Sequence, residues 1–158
     1  MVNFARVRIW GRTIGAVVWN EGSARAEFEF DKEFLHSGLD VAPIKMPLRE
    51  AQNGSGIFSF PHLNTETFRG LPGMLADSLP DRFGDRIMEA WLQRQGRDLN
   101  DLNAVERLCY TGSRGMGALE FEPVQHTFEQ KSEPLQVDEL VELARSVMKA
   151  DLRAKQDT

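Results

Sequence analysis

Apolar and polar positions alternate through the N-terminal part of the chain. Residues 4–10, FARVRIW, alternate around Val7 and Ile9, and residues 13–19, TIGAVVW, follow a Gly11-Arg12 turn. Residues 24–30, ARAEFEF, place Ala24, Ala26, Phe28 and Phe30 on one face and Arg25, Glu27 and Glu29 on the other. A period of two, broken by short turns, predicts an antiparallel meander with one wet face. Asp31 to Gly38 reads as one or two helical turns, capped by Asp31 and stopped by Gly38. Between 43 and 60 the pattern weakens. Ile44, Met46 and Leu48 alternate, and Ile57, Phe58 and Phe60 follow Asn53-Gly54, which predicts two more short strands or extended segments.

The period changes at Leu71. Leu71 to Leu79 predicts a short helix. Ser78 with Asp81 resembles a capping box, and Pro80 suits a first helical turn. Phe83, Ile87, Met88, Trp91 and Leu92 then fall on one stripe of a second helix, which Gly96 ends. A shorter helix spans Asp101 to Tyr110, with Asn100 or Asp101 as its N-cap and Leu102, Val105, Leu108 and Cys109 inward. The Gly-rich TGSRGMG leads into a strand at Ala118 to Glu122. Polar residues between Pro123 and Pro134 read as a linker. From Val137 to Lys155, Leu140, Val141, Ala144, Val147, Met148 and Leu152 line one side of a trailing helix. The order predicts an α+β fold, a small antiparallel sheet packed against a helical segment, with that trailing C-terminal helix. The expected organisation is a subdomain over 1–123, a linker over 124–136 and a helix over 137–158.

Composition narrows the function. A length of 158 residues suffices for one domain with a real core. The net charge of −5 weighs against nucleic-acid binding as the main task, although Arg6, Arg8 and Arg12 gather near one hairpin. The single cysteine, Cys109, cannot close an internal disulfide and is expected to pack as a small hydrophobe. The opening MVNFARVRIWGR is neither a signal peptide nor a membrane span, so a cytoplasmic protein with no membrane partner is expected.

Two segments imitate protein-kinase motifs. Arg97-Asp98-Leu99-Asn100-Asp101-Leu102-Asn103 fits part of a kinase catalytic loop, and Gly112-Ser113-Arg114-Gly115-Met116-Gly117 looks like a phosphate cradle. Both stand in the wrong context. The Gly-rich run follows a helix instead of joining two strands, and neither a V-A-I-K lysine nor a D-F-G aspartate is present. Helix capping and close packing explain the residues better. Asp77, Asp81 and Asp85 are spaced four apart, yet Pro80 breaks any shared helix face, and surface ion pairing is the expected role. His36, His62 and His126 form no zinc-ligand pattern. No catalytic, cofactor-binding or metal residue is therefore assigned. The candidate partner-contact residues are Trp10, Trp19, Arg6 and Arg8, since exposed strand tryptophans often anchor partners; core or edge packing is the commoner role for the two tryptophans, and a solvated strand face for the arginines.

FRGLPGMLADSLPDRFGDRIMEAWL (68–92) and ERLCYTGSRGMGALEFEP (106–123), with the two opening strands, resemble the N-terminal region of HipA-family serine/threonine kinases. These are the toxins of bacterial toxin–antitoxin pairs. The resemblance implies a first N-terminal subdomain that packs on a kinase core and helps contact a helix-turn-helix antitoxin, meeting DNA only through that protein. It implies ATP and magnesium for the parent kinase, but their residues lie further on in the family and none maps here. The end of the chain, DLRAKQDT, falls about where the ATP-binding lobe would begin, and the trailing helix would lead toward that lobe. The chain is thus expected to be a non-catalytic piece of such a kinase. The alternative is a free-standing antitoxin-like protein that inhibits a partner kinase in trans, as in a related split arrangement of the family. The kinase lobe is then a partner in cis or in trans.

Overall fold

The computed structural model describes residues 2–54, 56–115 and 117–124. The predicted linker past Val124 and the predicted helix from Val137 lie outside the described residues. Two compact units are present, one formed by residues 2–79 with 103–124, the other containing residues 80–102.

The first unit is built on a five-stranded antiparallel sheet, and the fold class is α+β. Strands β1 (Phe4–Ile9), β2 (Arg12–Asn20) and β3 (Arg25–Phe30) form the meander. Trp10 and Gly11 join the first two, with φ +48° and +75°. Positive φ at both central residues makes this a type I′ hairpin, whose twist matches that of its strands. The alternation holds in β1 and β3, where Ala5, Val7, Ile9, Ala26, Phe28 and Phe30 are all buried. Two details depart from the simple period. The register slips between Val7 and Arg8, which leaves Ile14 as an extra, fully buried residue of a bulge. Ala24, expected on the apolar face, lies outside β3 at φ +51° and is exposed in the preceding turn.

Strand β4 (Ile57–Phe58) pairs with β3, and β5 (Leu119–Pro123) returns to pair with β1, so the order is β4-β3-β2-β1-β5. The second extended segment, expected around Ile44 to Leu48, is not a strand. Residues 41–46 turn, and helix α1 (Leu48–Asn53) follows with Pro47 as its N-cap. Leu48 and Ala51, three apart, reach the core, whereas Ile44 is 86% exposed. Helical spacing therefore displaces the apparent alternation. Asp31 does cap its turn, accepting from the backbone N–H of Glu33 and Phe34, but only a 3-10 turn forms at Phe34–His36.

Helix α2 (Thr65–Phe68) has no apolar stripe to announce it, and none of its residues is buried. Its cap makes it: Asn64 Oδ1 accepts from Glu66 N (2.8 Å) and Thr67 N (3.0 Å). The helix expected over Leu71 to Leu79 is shortened to α3 (Gly73–Ala76), because Pro72 starts it. It then tightens, with Ser78 N donating to Leu75 O and Leu79 N to Ala76 O, both at 3.0 Å.

In the second unit, α4 (Arg82–Arg94) buries Met88, Trp91 and Leu92 of its predicted stripe. Phe83 is exposed. Its N-cap is Asp81, which accepts from Gly84 N at 2.8 Å; the expected partner in that cap, Ser78, is buried instead. Back in the first unit, α5 (Ala104–Thr111) begins at an Asn103 cap, later than the Asn100 or Asp101 expected, because those two belong to a separate 3-10 turn at Leu99–Asp101.

The core of the first unit lies on one face of the sheet, where Phe28, Val17 and Val7 meet Phe34, Leu71, Leu75, Val105 and Leu108. Phe30 packs edge-on to Phe28 and Phe58 and stacks on Phe34, with ring centroids 4.9–5.9 Å apart.

Candidate functional site

Arg6 and Arg8 project from β1 on the face of the sheet opposite the core. Their register partners on β5 are Glu122 and Glu120. Arg6 Nη1 lies 3.1 Å from Glu122 Oε2, and Arg8 Nη1 lies 4.0 Å from Oε1 of the same carboxylate. Opposite charges directly across a ladder favour that register, but exposed pairs add little stability. On β3 the outward Glu27 and Glu29 supply more negative charge. The basic row is thus narrow and bordered by carboxylates, which opposes a phosphate-binding field.

The hairpin tip differs. Arg8 Nη2 donates to Gly11 O at 2.6 Å, bracing the turn. Trp10 stands 74% exposed in a left-handed backbone conformation, which costs a non-glycine residue about 1–2 kcal/mol. Arg12 is exposed beside it. Trp19 lies at the far end of β2, seven residues from Arg12 or roughly 23 Å of strand. It is half-buried against the core, so the two tryptophans do not share a surface. Of the four partner-contact candidates, the structure brings Arg6, Arg8 and Trp10 together at β1 and places Trp19 elsewhere.

Trp19 has a structural neighbour in the segment that carries the family resemblance. Gly70 lies under it at φ +77°, and a Cβ there would meet Ala24 O at 2.6 Å and the Trp19 ring at 3.2 Å. Gly70 O accepts from Ala26 N at 2.8 Å. Only a residue without a side chain lets the chain approach the meander this closely.

The kinase-like residues are committed to caps. Asp98 Oδ1 accepts from Asn100 N (2.7 Å), and Asp101 Oδ2 accepts from Asp98 N (3.2 Å). Asn103 Oδ1 accepts from Glu106 N (2.8 Å), while its amide donates to Asn3 Oδ1 (2.8 Å) and Val2 O (3.2 Å). Gly112 ends α5, and its carbonyl receives Phe121 N at 3.2 Å. Among the described residues, no three His, Cys, Asp or Glu side chains gather as a metal site. Cys109 is no better a nucleophile: burial, with the Glu106 carboxylate adding to it, pushes its thiol up to about 12. No described helix is long and apolar enough to cross a membrane.

Two features escaped the sequence reading. In α5, Glu106 and Arg107 are buried. Their i,i+1 position beside the apolar Val105 and Leu108 gave no periodic signal. The other is a half-open groove of about 590 Å³ formed by residues 42–46, 59–63, Phe68, Gly73 and Met74. Its walls are almost wholly apolar, with Ile44, Phe60, Phe68 and Met74 prominent and Lys45 and His62 among the few polar groups. The run of Pro43, Pro61, Met46 and Met74 was the only available hint, and it is not periodic.

These features define a small α+β domain built on an antiparallel sheet, with helix caps where kinase motifs seemed to stand. The chain belongs to the HipA N-terminal domain family, whose model matches residues 5–122, about three quarters of its length. No curated protein matches the sequence.

Proposed function

We propose that this domain is the non-catalytic N-terminal interaction subdomain of a HipA-like serine/threonine kinase, the toxin of a bacterial toxin–antitoxin pair. The match to the HipA N-terminal domain over residues 5–122 carries this reading. The capping roles of Asp98 and Asn103 support its non-catalytic part, since both side chains serve the backbone of their own turns. Its partners are the kinase core lobe and a helix-turn-helix antitoxin, with Trp10 as the anchor the hairpin offers. ATP and magnesium belong to the core lobe, and the site of action is the cytoplasm.

Titration of the purified chain with Mg·ATP, followed by calorimetry, tests the non-catalytic part. The expected result is no saturable heat below millimolar nucleotide. Micromolar binding would overturn the reading. Inhibition of a separate, complete HipA-like kinase by the added chain would replace it with an antitoxin acting in trans.

A further inference from the structure

The groove at residues 42–74 lies wholly within the first unit, beside the short edge strand β4. Its volume falls in the range of about 300–1,000 Å³ typical of binding sites. Four apolar side chains from separate segments converge on it: Ile44 before α1, Phe60 after β4, Phe68 from α2 and Met74 from α3. Ile44 is 86% exposed at a place where the fold gives it nothing to cover. Methionines adapt to varied apolar partners, and Met46 and Met74 both reach the groove.

The charge pattern selects the occupant. In a chain of net charge −5, the groove lining holds no carboxylate, and Lys45 is its one lysine or arginine. Lys45 is exposed and has no ion pair among the described residues. A second copy is disfavoured, since two chains of net charge −5 repel. Strand addition is disfavoured as well, because β4 offers a ladder of only two residues. We propose that the groove receives an amphipathic helix of a partner protein, its apolar stripe inward and an acidic residue on its flank facing Lys45. Such a helix would bury anchors at i, i+3 or i+4 and i+7 against the four converging side chains. This goes beyond the kinase reading and does not need the kinase as partner.

The test uses the whole chain and two designed 18-residue helical peptides with the same leucine stripe, one flanked by Glu and one by Lys. Fluorescence anisotropy should show saturable binding of the Glu-flanked peptide and at least tenfold weaker binding of the other. Ile44→Asp and Lys45→Glu each alter exposed residues, and each should weaken the Glu-flanked peptide at least tenfold with an unchanged circular dichroism spectrum. Failure of that peptide to bind would overturn the proposal, as would equal affinity for the two peptides or indifference to both substitutions. Self-association abolished by Ile44→Asp would instead assign the groove to a second copy. Uptake of dodecanoate without peptide binding would assign it to a small apolar ligand. Because no kinase is present, this inference and the proposed function can fail separately.

Discussion

The meander and the segment from 41 to 76 solve opposite problems with neighbouring stretches of one chain. Strands β1–β3 satisfy their backbone through long ladders and send a continuous apolar face into the core. The later segment has three helices of four to six residues and a two-residue strand, tied down by caps, by Gly70 and by a few buried side chains. It leaves Ile44 and the groove walls open. Regular ladders and most of the sheet's apolar face belong to the first region, and the open apolar groove belongs to the second. That division is physical, since short elements cannot cover all the apolar surface they carry.

Substitutions should separate the two regions sharply. Phe28 is fully buried on the core face of β3, and Phe28→Ala should cost about 3–5 kcal/mol in urea unfolding. A loss under about 1 kcal/mol would mean that the sheet face is not the core. The alkaline limb of stability comes next. Cys109 titrates near 9.0 when unfolded and near 12 when folded, so the folded state keeps its proton while the unfolded state loses it. The contribution is full below about pH 9 and is lost as pH rises to about 12. Cys109→Ala should flatten this limb, which a Tm-against-pH series would show.

At the hairpin tip the sign reverses. Trp10→Asn puts a residue that tolerates positive φ into a type I′ turn, and thermal unfolding should show a gain of about 0.5–1 kcal/mol. The same change should weaken any partner that uses Trp10. In the groove, Ile44→Asp should alter stability by no more than about 0.5 kcal/mol, because its side chain is already in water. A loss comparable to that of Phe28→Ala would erase the contrast between the regions.

Legibility followed the same divide. Val7, Phe28 and Phe30 could be placed because strand alternation survives burial, and Val105 and Leu108 because helical spacing does; Leu102, expected on the same helix, is buried from extended backbone before it. The bulge at Ile14 could not be read, since an extra apolar residue in an apolar strand leaves the composition unchanged. Ile44, Met46 and Leu48 imitated a strand, although Pro47 in fact starts a helix. Asn64 and Asn103 act as caps through local hydrogen bonds that several nearby residues could equally have supplied. The groove was beyond reach, because its walls come from four segments that only the tertiary fold brings together. Trp10 was identified as a candidate contact, but its separation from Trp19 depended on where the turn fell.

The central claim is that this HipA-type domain works through its surface, as a module that holds a kinase lobe. Isothermal titration of the chain into a HipA-like kinase trimmed of its own N-terminal domain tests it most directly. The expected result is a one-to-one complex with a Kd of about 1 μM or tighter, equivalent to about −8 kcal/mol, weakened at least tenfold by Trp10→Ala. Absence of any complex at a hundred times that concentration, or a complex indifferent to Trp10, would contradict it.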